Sequence, residues 1–200
     1  MNAQNTSHDK ARHWNERYLA GTTGWDRGEA SPALKGWLEH GQLQPCRILI
    51  PGCGYGHEAV VLARRGFDVT ALDIAPAPLE RLEMELRQAG VVANLVQADV
   101  LDWKAAPAFD AIYEQTCLCA LEPAHWAEYE AQLHAWLKPG GKLFALFMQT
   151  GRAGGPPYHC ALPDMRALFP ETRWHWEGQP HKEIPHPNGL YEFTAILTRL

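Results

Sequence analysis

Two hundred residues, 46% of them hydrophobic and 20% charged, have the make-up of one soluble globular domain with a buried core. Eighteen Lys and Arg against 23 Asp and Glu give a net charge of −5, which argues against a general nucleic-acid-coating role. No apolar run approaches the ~20 residues of a membrane span, residues 1–30 hold no signal-peptide core, and five cysteines in a chain of this length fit a reducing, cytoplasmic setting. Eight tryptophans stand out, two of which, Trp14 and Trp25, lie in an otherwise polar N-terminal segment.

Ala11, Trp14 and Tyr18 recur at helical spacing and predict a short amphipathic helix over His8 to Ala20, broken by Gly21 and Gly24. Ser31-Pro32 offers a side-chain cap with proline in the first turn, which predicts a second helix to about His40. After Pro45 strands and helices alternate. Arg47 to Pro51 (RILIP) reads as a buried strand, Glu58 to Arg65 as a helix closed by Gly66, and Phe67 to Leu72 as a second strand. Leu79, Leu82 and Leu86 share one face of a helix over Pro78 to Gly90. Asn94 to Ala98 and Phe109 to Glu114 are the third and fourth strands.

Trp126, Tyr129, Leu133 and Trp136 place a helix over Pro123 to Leu137, ended by Pro139-Gly140. Lys142 to Met148 is a fifth strand and Pro163 to Leu168 a short helix; Arg173 to Glu177 and Tyr191 to Leu200 are two closing strands. Successive β-then-α units imply an α/β fold: a doubly wound, mostly parallel, seven-stranded sheet with helices on both faces and an antiparallel strand from the last hairpin. Residues 1–200 read as a single domain in which 1–44 form a helical N-terminal extension.

Ile50-Pro51-Gly52-Cys53-Gly54-Tyr55-Gly56-His57 lies between the first strand and the helix that follows. Three glycines in five residues let the backbone turn sharply and approach a ligand, although a tight strand-to-helix turn needs the same residues. Asp73 ends the second strand, where a carboxylate can accept from both hydroxyls of a ribose; a helix-capping aspartate is the plainer alternative. Asp99 closes the third strand, placed either for an adenine amino group or as a solvated loop carboxylate. Glycine loop and Asp73 together favour a nucleoside-containing cofactor. The spacing Gly52-x-Gly54-x-Gly56 differs from G-x-G-x-x-G and suits a cofactor with no pyrophosphate, of which S-adenosylmethionine is one.

Those residues resemble a class I S-adenosylmethionine-dependent methyltransferase with its Rossmann-like sheet. Trp14-x-x-x-Tyr18-x-x-Gly21, followed by Thr23-Gly24-Trp25-Asp26-x-Gly28-x-x-Ser31-Pro32, is similar to the N-terminal signature of the thiol, thiocyanate and halide methyltransferases. That group sits within the thiopurine methyltransferase superfamily. Ile50 to His57 resembles its cofactor loop, and Gly154-Gly155-Pro156-Pro157-Tyr158 its G-G-P-P-Y segment. The resemblance runs from Trp14 to the closing strands. It implies that residues 1–44 form a lid, with Trp14, Tyr18 and Trp25 around the methionine end of the cofactor; a hydrophobic anchor for the extension is the competing role. It further implies Gly52, Gly54 and Asp73 as cofactor contacts and Asp99 with Val100 at the adenine. Gln115 stands where plant members tend to carry an aromatic residue.

Moving a methyl group from a sulfonium to a soft nucleophile is an in-line displacement, in which positioning can lower the barrier by roughly 7–11 kcal/mol. An aromatic face beside the sulfonium adds roughly 0.5–2 kcal/mol. An anionic nucleophile needs no general base, and the sequence shows no zinc motif; Cys117-Leu118-Cys119 reads as structural or weakly reactive thiols. The family motif nominates Tyr158 as the substrate-contacting catalytic residue, with His159 and Cys160 either beside it or completing a turn. The expectation is methyl transfer to a small thiol, thiocyanate, halide or thiopurine, with no metal, no nucleic acid and no membrane. Methylation of oxygen or nitrogen on a metabolite, a non-catalytic cofactor-binding protein and a nucleotide-dependent oxidoreductase are the rival readings.

Overall fold

The computed structural model describes residues 3–105, 109–178, 181–186 and 188–200, with side chains from Ser7 onward. In chain order the elements are α1 (Ala3–Leu19), α2 (Pro32–Glu39), β1 (Arg47–Pro51), α3 (His57–Arg64), β2 (Asp68–Asp73), α4 (Pro76–Ala89), β3 (Asn94–Gln97) and β4 (Phe109–Gln115). Then come α5 (Trp126–Trp136), β5 (Leu137–Gln149), α6 (Leu162–Leu168), β6 (Trp174–Trp176), β7 (Glu183–Pro185) and β8 (Tyr191–Arg199).

The strands form one sheet in the order β3-β2-β1-β4-β5-β8-β6. From β3 to β5 all pairs are parallel, and β8 runs antiparallel to β5. The sequence predicts seven strands; β7 is an eighth, paired with the Tyr191–Phe193 end of β8. The chain leaves β1 in one direction through β2 and β3 and returns to its other side through β4 and β5. Ligands in such sheets bind beyond the carboxyl ends of the strands at this reversal, here the ends of β1, β2 and β4.

Both faces of the sheet are covered, so its strands are apolar at successive positions rather than alternating with water. Ile48, Ile50 and Phe144 pack with Trp37 of α2, Leu62 of α3 and Leu82 of α4. Leu49, Ile112 and Phe147 pack on the other face with Tyr129, Leu133 and Trp136 of α5 and with Trp174. Helix ends follow their local chemistry. Ser31 Oγ accepts from Ala33 N at the start of α2, and Gly90, at φ +67°, ends α4. Helix α5 begins three residues later than expected, because Pro123–His125 form a separate 3₁₀ turn, and β5 starts at Leu137 rather than Lys142.

Candidate active site

A cavity of about 300 Å³ opens at the carboxyl edge of the sheet. The nine residues nominated from sequence for the cofactor, Trp14, Tyr18, Trp25, Gly52, Gly54, Asp73, Asp99, Val100 and Gln115, all line it. They come from five separate stretches of chain and meet because β1 to β4 end together.

The floor is backbone. Gly52 and Gly54 adopt φ of +59° and +52°. A Cβ on Gly52 would stand 2.8 Å from Cys117 Cβ, and one on Gly54 would stand 2.9 Å from Tyr18 Oη. Each glycine is therefore required twice, by its dihedral angle and by a neighbour that approaches where a side chain would be. Asp73 is buried, and each carboxylate oxygen takes one backbone bond: Oδ2 from Gly54 N and Oδ1 from Ala75 N, both at 2.9 Å. The second bond is the capping role weighed from sequence. It does not exclude a ligand, since each oxygen retains a lone pair. Burial pushes the Asp73 carboxyl up, opposed by those N–H donors. Asp99 takes Leu101 N on Oδ1 at 3.0 Å, and Lys10 Nζ of α1 lies 3.3 Å from its Oδ2.

The N-terminal segment contributes the aromatic wall. Trp14 and Tyr18 each meet Trp25 edge-to-face with centroids 5.5 Å apart, and Tyr18 meets Tyr55 at 5.2 Å. Arg17 lies 4.5 Å from the Trp25 ring centroid and 5.6 Å from that of Trp14, so the cation on these rings is a residue of α1 itself. Burial and the charge of Asp73 push the Tyr18 phenol far up, and it remains a donor at all ordinary pH. The segment is tied down along its length. Asn15 Oδ1 accepts from Ala77 N in the first turn of α4 (2.9 Å), and Asp26 Oδ1 meets His57 Nε2 at 2.9 Å. Ser31 N donates to Glu58 Oε1 at 2.9 Å.

At the end of β4, Gln115 is held from both sides: Tyr113 Oη donates to its Oε1 at 2.6 Å, and its Nε2 donates to Glu192 Oε2 at 2.7 Å. Thr116 follows with φ +60°, a strained conformation for a β-branched residue, and lies on the cavity wall. Cys117, Cys119, Met148, Pro156 and Pro157 continue the wall. Burial pushes both thiols well up, so they stay protonated.

Tyr158 is not among the cavity-lining residues. Its N–H donates to Cys119 O at 2.7 Å, and its ring lies directly under Gly155, 2.6 Å from where a Cβ would be. The wall beside it is made by Pro156 and Pro157. His159 Nδ1 accepts from Thr150 N and Gly151 N and so completes a turn, while Cys160 is buried in the core. Arg17, Arg27, Thr116, Met148 and the Glu192 behind Gln115 escaped sequence reasoning. Glu192 is 77 positions from its partner, and nothing in the local pattern joins the two.

The sequence profile of the thiopurine S-methyltransferase family matches residues 9–189. The chain belongs to that family. As a thiopurine S-methyltransferase family member it is an S-adenosylmethionine-dependent methyltransferase. It is similar to a probable thiol methyltransferase 2 of Arabidopsis thaliana, 32% identical over 166 residues, which span 82% of this chain and 74% of that protein. It is also similar to a thiopurine S-methyltransferase of Pseudomonas fluorescens, at 27% over 176 residues (79% and 81% of the two chains). Among solved structures, a 1,6-didemethyltoxoflavin-N1-methyltransferase of Burkholderia thailandensis superposes with a TM-score of 0.79 at 20% identity, over 100% of this chain and 91% of that one. That likeness is one of fold.

The family's methyl donor fits the cavity chemically. A buried acidic residue with lone pairs to spare ends β2, a second acid follows β3, side-chain-free backbone follows β1 on the other side of β2, and an aromatic wall completes the lining.

Proposed function

We propose that the chain methylates a small soft nucleophile, a thiol, thiocyanate, halide or thiopurine sulfur, by in-line displacement beneath a lid formed by the part of the 1–44 extension that precedes the core residue Ala30. The observation that carries the reading is the joint lining of one cavity by the glycine loop, Asp73 and the aromatic trio Trp14, Tyr18 and Trp25. S-adenosylmethionine, when bound, supplies the methyl group on a sulfonium that needs no further activation. Asp73 would hold the ribose hydroxyls, Asp99 and Val100 the adenine, and Gly52 and Gly54 the space through which the backbone meets the ligand. Trp14, Tyr18 and Trp25 would close over the methionine end and exclude water, with Gln115 presenting an amide N–H to the reacting groups.

The acceptor wall of Cys117, Cys119, Met148 and the two prolines is soft and polarisable, and its thiols are neutral. A neutral thiol is a poor nucleophile, so the wall does not compete with the acceptor for the methyl group. Tyr158 is assigned to holding the Pro156-Pro157 wall in place through its ring under Gly155, rather than to contact with the acceptor.

The reading is tested by incubating the purified protein with S-adenosylmethionine and small thiols, hydrosulfide, thiocyanate, iodide, phenols and amines, and measuring S-adenosylhomocysteine release. Sulfur or halide acceptors are expected to turn over at least tenfold faster than oxygen and nitrogen acceptors. Tyr158→Phe is expected to keep the wild-type rate. A preference for phenols or amines would overturn the acceptor class, and a Tyr158→Phe variant that folds but does not turn over would restore the hydroxyl to contact with the acceptor.

A further inference from the structure

Behind Gln115 lies a group of buried polar atoms that nothing in the cofactor's binding uses. Arg27 is on the cavity wall. Its Nη2 donates to Pro185 O at 2.7 Å, while Nε and Nη1 are buried with no hydrogen-bond partner among the described residues. None of the described carboxylates lies within ion-pair distance of it; the cavity's Lys10, by contrast, is paired with Asp99. His186 is 4% exposed, and neither ring nitrogen has a partner in hydrogen-bond geometry among the described residues, although the Asn188 side chain and the Trp25 backbone are near enough to oppose the fall of its pKa. Glu192 is wholly buried, with Oε2 taken by Gln115 and Oε1 without a partner among the described residues.

Arg27, Gln115 and Glu58 line the cavity itself, while His186 and Glu192 lie behind it: Arg27 bonds Pro185 of β7, which pairs with Tyr191 beside Glu192, and the charge of Arg27 bears on both buried groups. Burial pushes the His186 imidazole down and the Glu192 carboxyl up to about 8. Both shifts favour the uncharged forms, and the carboxylates on the cavity wall that feel the charge of Arg27 are Glu29 and Glu58. Buried donors without partners are rare and mark a place where another group belongs. Gln115 adds a neutral donor: with its Oε1 bonded to Tyr113 and one N–H to Glu192, its orientation is set and its second N–H is spare.

We propose that Arg27, with the spare N–H of Gln115 on the same cavity wall, is the specificity-determining residue of the acceptor end and holds a small, weakly hydrated anion. Guanidinium is itself more weakly hydrated than ammonium, which matches an anion that sheds water easily. The cavity, about 300 Å³, is at the small end for ligand pockets and must also take the cofactor, which favours a small acceptor such as thiocyanate, hydrosulfide or iodide. The inference rests on the methyl-transfer reading and names the substrate class within it. The cofactor's own carboxylate is the other anion that Arg27 could hold, and the experiment separates the two.

Wild type and Arg27→Gln are first titrated calorimetrically with S-adenosylhomocysteine, then, as saturated complexes at constant ionic strength, with potassium thiocyanate. The expected result is S-adenosylhomocysteine affinity equal within twofold, 1:1 thiocyanate binding to the wild-type complex, and at least tenfold weaker thiocyanate binding to the variant. Loss of S-adenosylhomocysteine affinity in the variant would give Arg27 to the cofactor and overturn the inference. A wild-type complex that takes no thiocyanate overturns it, as does a folded variant that takes thiocyanate as tightly as wild type, with Arg27→Met as the second variant should Arg27→Gln misfold. Wild type that binds no S-adenosylhomocysteine would instead sink the methyl-transfer reading, and this inference with it.

Discussion

Glu192 is a carboxyl that the fold keeps from water and supplies with a single donor, the amide of Gln115. Burial pushes its folded pKa up to about 8, whereas the unfolded chain exposes it near the ordinary glutamate value of ~4.3. Between those two values the unfolded chain releases the proton and the folded chain holds it. Stability is therefore full below the unfolded pKa and drains as pH rises towards the folded one, by a total on the order of 5 kcal/mol. Glu114, pushed up to about 7 and capping Leu118 N at 2.7 Å, adds a smaller loss over a narrower window. Glu192→Gln keeps an acceptor for Gln115 and cannot ionise. Its melting temperature is expected to match wild type near pH 5 and to exceed it by roughly 10 °C near pH 8.5. Thermal melts across that range check this, and an offset independent of pH would contradict it.

At the scale of elements, the N-terminal segment and the sheet are separable in a way the core makes plain. Among the described residues, the first buried apolar side chain is Ala30, so no part of α1 belongs to either core. Helix α1 is attached instead by polar contacts, Asn15 to Ala77 N and Lys10 to Asp99, and by its aromatic residues against Tyr55 and Trp25. Deleting residues 1–25 is expected to leave a cooperatively melting sheet domain whose methyl-transfer rate falls at least tenfold. Unchanged turnover in the truncated protein would remove the lid from the account.

The strands were legible for the same reason the core is dense. The run Arg47–Pro51 is apolar because both faces of β1 are covered, and its limits are those read from sequence. The edge strand β7, Glu-Ile-Pro, is too short to show any period and ends in proline. Helix α1 starts five positions before His8, in a polar run that carries no apolar repeat. Strand-end residues such as Asp73 and Gln115 could be placed because the topology puts every carboxyl end at one edge. Arg27 and Glu192 could not, since their roles depend on contacts with Pro185 and Gln115 across 158 and 77 positions. Tyr158 was nominated from a motif, and the motif carries no information on which way its ring turns.

For the molecule as a whole, one sheet with two covered faces uses nearly all of the chain, and the cavity sits where β1 and β4 diverge. No second domain is present among the described residues to surround a large acceptor. The tryptophans divide accordingly. Trp37, Trp126, Trp136, Trp174 and Trp176 are buried core, with Trp103 packed against it, while Trp14 and Trp25 line the cavity. Every role assigned to that cavity depends on its acidic floor at the end of β2. The most direct measurement is therefore a calorimetric titration of S-adenosylhomocysteine into wild type and Asp73→Ala, each confirmed to melt cooperatively. The expected result is 1:1 binding to wild type and affinity reduced by roughly tenfold to a hundredfold in the variant, from lost charge-assisted hydrogen bonds of ~1.5–3 kcal/mol. Equal affinity in the two proteins, or no binding to either, would contradict it.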